Sequence, residues 1–353
     1  MPPYINPNFK AFKARIEARR KRGIIPHLEL PAKASTQVPV SASLRNWCPI
    51  AYNQGQCGSC VSNTACGFVK MTQGPSANPA RLYLYTKSIM LEHPGQPITD
   101  TGSEATDAFE IMSTTGICDE SYMPYVLDAN QNVIGFGQPP SQSANADAKN
   151  HIYPGAVNVT NNGDLLSTVR YCISQGFPVP MEMIVYPSMM TQTVLQNGQV
   201  PVPSASELAG APVGGHAVLL VEYDAKTVTF LNSWGPSVGQ SGYFTLQNAH
   251  FSAEGADGPV IMELLRGAQV PNFSPSPSPS PPQPPQPTPN PPQPSPQPTP
   301  SPSPPTPNPP NPSPNNSPNI VDMMNQMSQA IQTLCTVQNQ LVSFIPQLRD
   351  QQK

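Results

Sequence analysis

Between Pro271 and Pro318, 25 of 48 residues are proline, and none is charged. Proline fixes φ and donates no backbone hydrogen bond, so this stretch can build neither helix interior nor sheet. From Ser274 onward it runs as SP, QP, TP and NP repeats, the composition of a polyproline II spacer. At about 3.1 Å per residue it reaches on the order of 140 Å if fully extended. It divides the chain into about 265 residues before it, enough for a sizeable core, and about 35 after it, too few for one.

Charge is distributed unevenly. The first 23 residues carry seven basic side chains (Lys10, Lys13, Arg15, Arg19, Arg20, Lys21 and Arg22) against Glu17 alone. The remainder holds 11 basic and 20 acidic residues. That balance argues against nucleic-acid binding by the main domain. No apolar run approaches the ~18 residues of a membrane span, so no membrane partner is expected. The first 23 residues lack the apolar core of a secretory signal, so signal-directed secretion is not expected. Seven cysteines without such a signal read mostly as reduced thiols.

Four segments follow. Residues 1–43 form a basic arm, with Phe9, Phe12 and Ile16 at helical spacing. Residues 44–266 form the globular domain, 267–318 the proline-rich linker, and 319–353 an amphipathic tail. In the domain, helices are predicted over 59–72, 79–92, 103–114 and 164–175. Strands are predicted over 179–185, 216–222, 227–231, 242–246 and 260–265. Helices first and strands later indicate an α+β fold in two lobes with a cleft between them. In the tail, Ile320, Met324, Met327, Ile331, Leu334, Gln338, Leu341, Ile345 and Leu348 recur in steps of four and three. This heptad pattern predicts self-association or docking on an assembly partner.

The run Gln54-Gly55-Gln56-Cys57-Gly58-Ser59-Cys60 carries the chemistry. Cys60 opens a predicted helix, where the terminus favours a thiolate. Gln54 supplies a neutral donor that a tight turn brings back beside the sulfur, as an oxyanion hole requires. Of His93, His151, His216 and His250, His216 stands out, at the mouth of the apolar run Ala217-Val218-Leu219-Leu220-Val221. A hairpin between 216–222 and 227–232 sets Asn232 near it, where an amide oxygen can orient the imidazole. A zinc site would need a second C-x-x-C or H-x-x-H pair, and none is present. No metal or cofactor is expected.

QGQCGSC, GGHAVLLVEY and NSWG followed by GYFTL together resemble the papain-like cysteine peptidases, specifically the bacterial and large-DNA-virus forms without a long propeptide. Trp47-Cys48 and the G-x-x-x-E-x-x-x-P-Y segment from Gly116 to Tyr125 agree. The resemblance covers about residues 44 to 266. It implies a helical N-terminal lobe, an antiparallel, barrel-like C-terminal lobe, and hydrolysis of peptide or protein substrates. It implies Cys60 as nucleophile, His216 as base, Asn232 as orienter and Gln54 as oxyanion donor, with Trp234 shielding the His–Asn pair. The chain departs from the family at Val61, where an aromatic residue is usual, and at Cys57, which lacks its usual disulfide partner. About 45 residues precede the domain, fewer than a long propeptide needs. An insertion near 128–150 or 187–212 would account for the wide spacing from Cys60 to His216. The competing expectation is a virion-associated structural or minor capsid protein retaining this fold; for a viral source, the location is the host cytoplasm or the virion.

Overall fold

The computed structural model describes Ile5, residues 38–160 and residues 164–274. The helical expectation for residues 8–22, the proline-rich linker beyond 274 and the heptad tail lie outside the described residues.

The helical lobe is built on α1 (Cys60–Gln73), which is buried on nearly every face. Its polar residues survive burial because they turn back on the helix's own first turn. Ser62 Oγ and Asn63 Nδ2 each donate to Ser59 O at 2.9 Å. The helix stops at Gly74, whose φ of 96° a side chain would strain. Next come α2 (Arg81–Glu92) and α3 (Ala105–Thr114). Phe68 of α1 meets Phe109 of α3 edge-on, with ring centroids 5.3 Å apart. Arg81 pairs with Glu120 at 2.5 Å and lies over the rings of Tyr52 and Tyr125. The glutamate and the tyrosine of the G-x-x-x-E-x-x-x-P-Y segment therefore anchor α2 to the loop before α1.

Three short helices follow the sequence less visibly: α4 (Gln142–Ala148), α6 (Gln192–Asn197) and α7 (Ala205–Ala209), with the longer α5 (Leu165–Ser174) between the first two. α4, α6 and α7 fall in the two segments where an insertion was expected. Ser141, Thr191 and Ser204 cap them by accepting backbone N–H bonds, and Ser204 and Glu207 form a capping box.

The sheet comprises β1 (Ala42–Ser43), β2 (Val157–Asn158), β3 (Val179–Val185), β4 (Gln199–Val200), β5 (Gly214–Tyr223), β6 (Thr227–Leu231) and β7 (Tyr243–Gln247). A separate two-stranded ribbon, β8 (Glu254–Gly255) with β9 (Gly258–Pro259), precedes β10 (Ile261–Arg266). The strand order is β2-β10-β3-β5-β6-β7-β4, with β1 also on β5. The α+β fold with a helical first lobe is as expected. The second lobe differs from the antiparallel, barrel-like form: β4 joins β7 in parallel, and the path stays open without closing on itself. The long β5 carries three neighbours because β3 pairs with Gly214–Leu220 and β1 with Glu222–Tyr223, just beyond the end of β3, while β6 pairs with Leu219–Tyr223. α1 packs across β5, which places the first residue of the helix beside the start of that strand.

Packing extends beyond 44–266 at both ends. Ile5 is buried in the main core, and β1 lies on β5 before residue 44. Past Arg266, Val270 is buried and donates its backbone N–H to Gly176 O at 2.9 Å. The Phe273 ring covers Gly176, where a Cβ would come within 2.5 Å of it, and Trp47 donates to Pro271 O at 3.0 Å. A chain ending at Gln269 is therefore expected to be less stable than one ending at Ser274 by about 3 kcal/mol, the burial of one aliphatic and part of one aromatic side chain. Paired urea melts measure this; equal midpoints would mean the 270–274 segment contributes nothing.

Candidate active site

The four residues singled out from the sequence lie together where α1 meets β5 and β6. Cys60 is the first residue of α1. The backbone N–H groups of Ala217 and Val61 donate to its sulfur. His216 precedes Ala217 on β5, so its backbone is one residue from a donor to the Cys60 sulfur. His216 Nε2 lies 2.8 Å from Asn232 Oδ1. The oxygen can only accept, so Nε2 carries the proton and Nδ1 presents its lone pair. Nδ1 has no hydrogen-bond partner. Trp234 stacks on the imidazole, with centroids 4.9 Å apart and planes at 22°, and is itself held edge-on by Phe244 at 5.4 Å. Leu219 pairs with Leu231 across the β5–β6 hairpin, and that register brings Asn232 back to His216.

Gln54 is 1% exposed and is fixed at both ends of its amide. Its Nε2 donates to Cys57 O at 2.9 Å, and its Oε1 accepts from Ser233 Oγ at 2.6 Å. One amide hydrogen remains for a ligand. Its backbone is held as well: Gln54 N donates to Ser233 O, and Tyr125 Oη donates to Gln54 O, each at 2.8 Å. Ser233 was quoted from the sequence within NSWG without a role. The serine between the orienting Asn232 and the shielding Trp234 sets which way the Gln54 amide faces. Replacing it with alanine is expected to lower kcat/KM about tenfold, with KM little changed, because the amide loses the acceptor lock that aims its free hydrogen. A change confined to KM would contradict that.

Burial pushes the Cys60 thiol up to about 12, with Glu182 and Asp100 adding to the effect. Burial pulls His216 down to about 4, opposed by its bond to Asn232. Burial penalises either charge on its own. A proton passing from sulfur to ring creates both together, and their attraction offsets the desolvation. Acidity does not separate the two thiols of the C-x-x-C run, since burial also pushes Cys57 up to about 12. Position does: Cys60 has the helix terminus and the β5 edge. Cys48, Cys57, Cys60, Cys66, Cys118 and Cys172 are all free thiols. His250 is held between Gln247 O and Pro201 O, and His151 lies beside Asp147.

Residues 38–258 match the model of the papain family cysteine proteases. The chain belongs to that family. An uncharacterised peptidase C1-like protein of Acanthamoeba polyphaga mimivirus is 27% identical over 214 residues, 57% of this chain and 65% of the relative. The chain thus spans just under two thirds of that papain-family relative's length. A cathepsin B-like protein of Giardia intestinalis is 23% identical over 237 residues, covering 65% of this chain and 74% of the relative. Among solved papain-like structures, xylellain of Xylella fastidiosa aligns with a TM-score of 0.59 at 23% identity, over 70% of this chain and 92% of its own. The proform of the ragweed pollen cysteine protease Amb a 11 aligns at 0.53 and 21%, over 76% and 75%. These likenesses agree with the two-lobe papain-like fold.

Proposed function

We propose that this papain-family cysteine peptidase is an endopeptidase that works through Cys60, His216, Asn232 and Gln54. The observation that carries the reading is the His216 Nε2 to Asn232 Oδ1 bond of 2.8 Å under the Trp234 ring, which leaves Nδ1 with a free lone pair on the residue next to Ala217, whose N–H reaches the Cys60 sulfur. In the first step the Cys60 proton passes to His216 and the sulfur adds to the scissile carbonyl carbon. The carbonyl oxygen becomes an oxyanion, held by the free Gln54 amide hydrogen and the Cys60 backbone N–H. Collapse breaks the C–N bond, and the proton on His216 goes to the leaving amine. Water then adds to the thioester, giving its proton to His216, and the acid product departs as the Cys60 thiol is restored. Asn232 keeps the ring in one tautomer through both halves.

The similarity to a mimivirus protein supports a second element of the proposal: the proline-rich spacer and heptad tail attach this enzyme to a viral or cellular assembly, within the virion or the host cytoplasm. The direct test of the enzymatic reading is hydrolysis of fluorogenic peptides by the full chain and by Cys60→Ala. Turnover by the first and none by the second is expected; equal turnover would overturn the reading.

A further inference from the structure

A carboxylate that the reaction does not use holds the turn between Gln54 and Cys60. Gly58 donates its backbone N–H to both oxygens of Asp100, at 3.0 and 3.1 Å. Tyr85 of α2 donates its hydroxyl to Asp100 Oδ1, and the same hydroxyl accepts the Gly102 N–H at 3.0 Å. The Tyr85 ring is itself stacked on Phe136, with centroids 5.6 Å apart. The Cys57 thiol is free, so no disulfide ties this turn down. Its side chain is buried with Tyr85 and Ile89, against Ile98 of the segment that carries Asp100.

The two ends of one peptide group are held by this arrangement. The Cys57–Gly58 peptide gives its N–H to Asp100, and its carbonyl, Cys57 O, accepts from Gln54 Nε2 at 2.9 Å. A peptide is planar, so an acceptor that fixes the N–H also fixes the carbonyl opposite it. A charged acceptor on the N–H polarises the group and makes its carbonyl a stronger acceptor. That carbonyl takes one amide hydrogen of Gln54, and the direction of the other follows from the planar amide.

We propose that Asp100 is a positioning residue for the oxyanion hole: by holding the Cys57–Gly58 peptide plane, it aims the free amide hydrogen of Gln54 at the developing oxyanion. The proposal rests on the peptidase reading and adds to it the group that orients one of its donors. Gln54 is then fixed from two directions, by Ser233 at its oxygen and, through Cys57 O, by Asp100 at its nitrogen. A water molecule could satisfy the Gly58 N–H equally well, but it would not hold the plane. A carboxylate that is itself held by Tyr85 does both. Asp100 acts through Gln54, so its loss cannot cost more than the loss of that donor, about 10²–10³-fold.

The test compares the full chain with Asp100→Asn, which keeps a neutral acceptor for Gly58, and Asp100→Ala, which removes it. On one fluorogenic peptide, kcat should fall about tenfold and about 30- to 100-fold respectively, with KM within about twofold of native. In a Gln54→Ala background, Asp100→Ala should lower kcat less than about threefold further, because the group it aims is gone. Alkylation of Cys60 by iodoacetamide, followed by mass spectrometry, is a displacement that forms no oxyanion. Its rate should stay within about threefold of native in both variants, while affinity for a peptide aldehyde falls with kcat. An unchanged kcat, an equal loss of alkylation and turnover, or a full multiplicative loss in the Gln54→Ala background overturns the proposal. If melting curves show that the Asp100 variants do not fold, Tyr85→Phe carries the test. It keeps the carboxylate and removes one bond that holds it, so kcat should fall about threefold with alkylation unchanged, and a native kcat there overturns the proposal. Absence of both turnover and Cys60 alkylation in the native chain would instead remove the peptidase reading itself.

Discussion

Replacing His216 with alanine is expected to lower kcat by about 10⁴-fold or more. The imidazole takes the thiol proton, returns it to the leaving amine and activates the water, so its loss affects both halves of the cycle. His250 is committed to two backbone carbonyls, and the acids nearest Cys60 penalise a thiolate rather than assist it. Asn232→Ala should cost less, about 10–100-fold, because it frees the ring's tautomer and orientation but leaves the base in place. Kinetics of both variants on one fluorogenic peptide, with melting curves to establish folding, measure the difference. A His216→Ala enzyme within tenfold of wild type would mean that another group is the base.

Gln54→Ala is expected to lower kcat/KM by about 10²–10³-fold, the cost of removing one oxyanion donor. The side chain is held rigidly before substrate arrives: Ser233 Oγ fixes its oxygen and Cys57 O takes one amide hydrogen. Pre-positioning means that no reorganisation accompanies the developing charge. The loss should appear in kcat, because the donor meets an oxyanion that exists only after attack. If KM rises alone with kcat preserved, the amide binds ground-state substrate and the oxyanion assignment fails.

The α+β class and the main elements were legible in the sequence; the small elements around them were not. Val179–Val185 and Thr227–Leu231 were legible to the residue because their apolar and β-branched runs sit between turn residues. Gln54, Cys60, His216 and Asn232 were legible because their types and order suit one chemistry, although they span 179 positions. The short helices α4, α6 and α7 have no apolar stripe, and what defines them is a serine or threonine cap. Ser204 and Glu207 had the spacing of a capping box, a signal that hydrophobic periodicity does not detect. The two-residue β4 is fixed by parallel pairing with β7 and has no local signature. Alternation along a strand normally sends a charged residue to solvent, so the burial of Glu182 had no signal in the sequence. β3 is buried on both faces, so its glutamate points into protein instead.

Packing past residue 266 was not legible for a comparable reason. Proline content marks where a core cannot form, but Val270 and Phe273 pack within or beside the first prolines. Stability of the domain therefore depends on a few residues that composition assigns to the spacer.

The central claim is that Cys60 is the reacting sulfur. Native full-length protein treated at neutral pH with an epoxysuccinyl thiol probe, then digested and analysed by mass spectrometry, tests it directly. One adduct is expected, on Cys60, and none in Cys60→Ala. Preferential modification of Cys57, or undiminished labelling of Cys60→Ala, would contradict it.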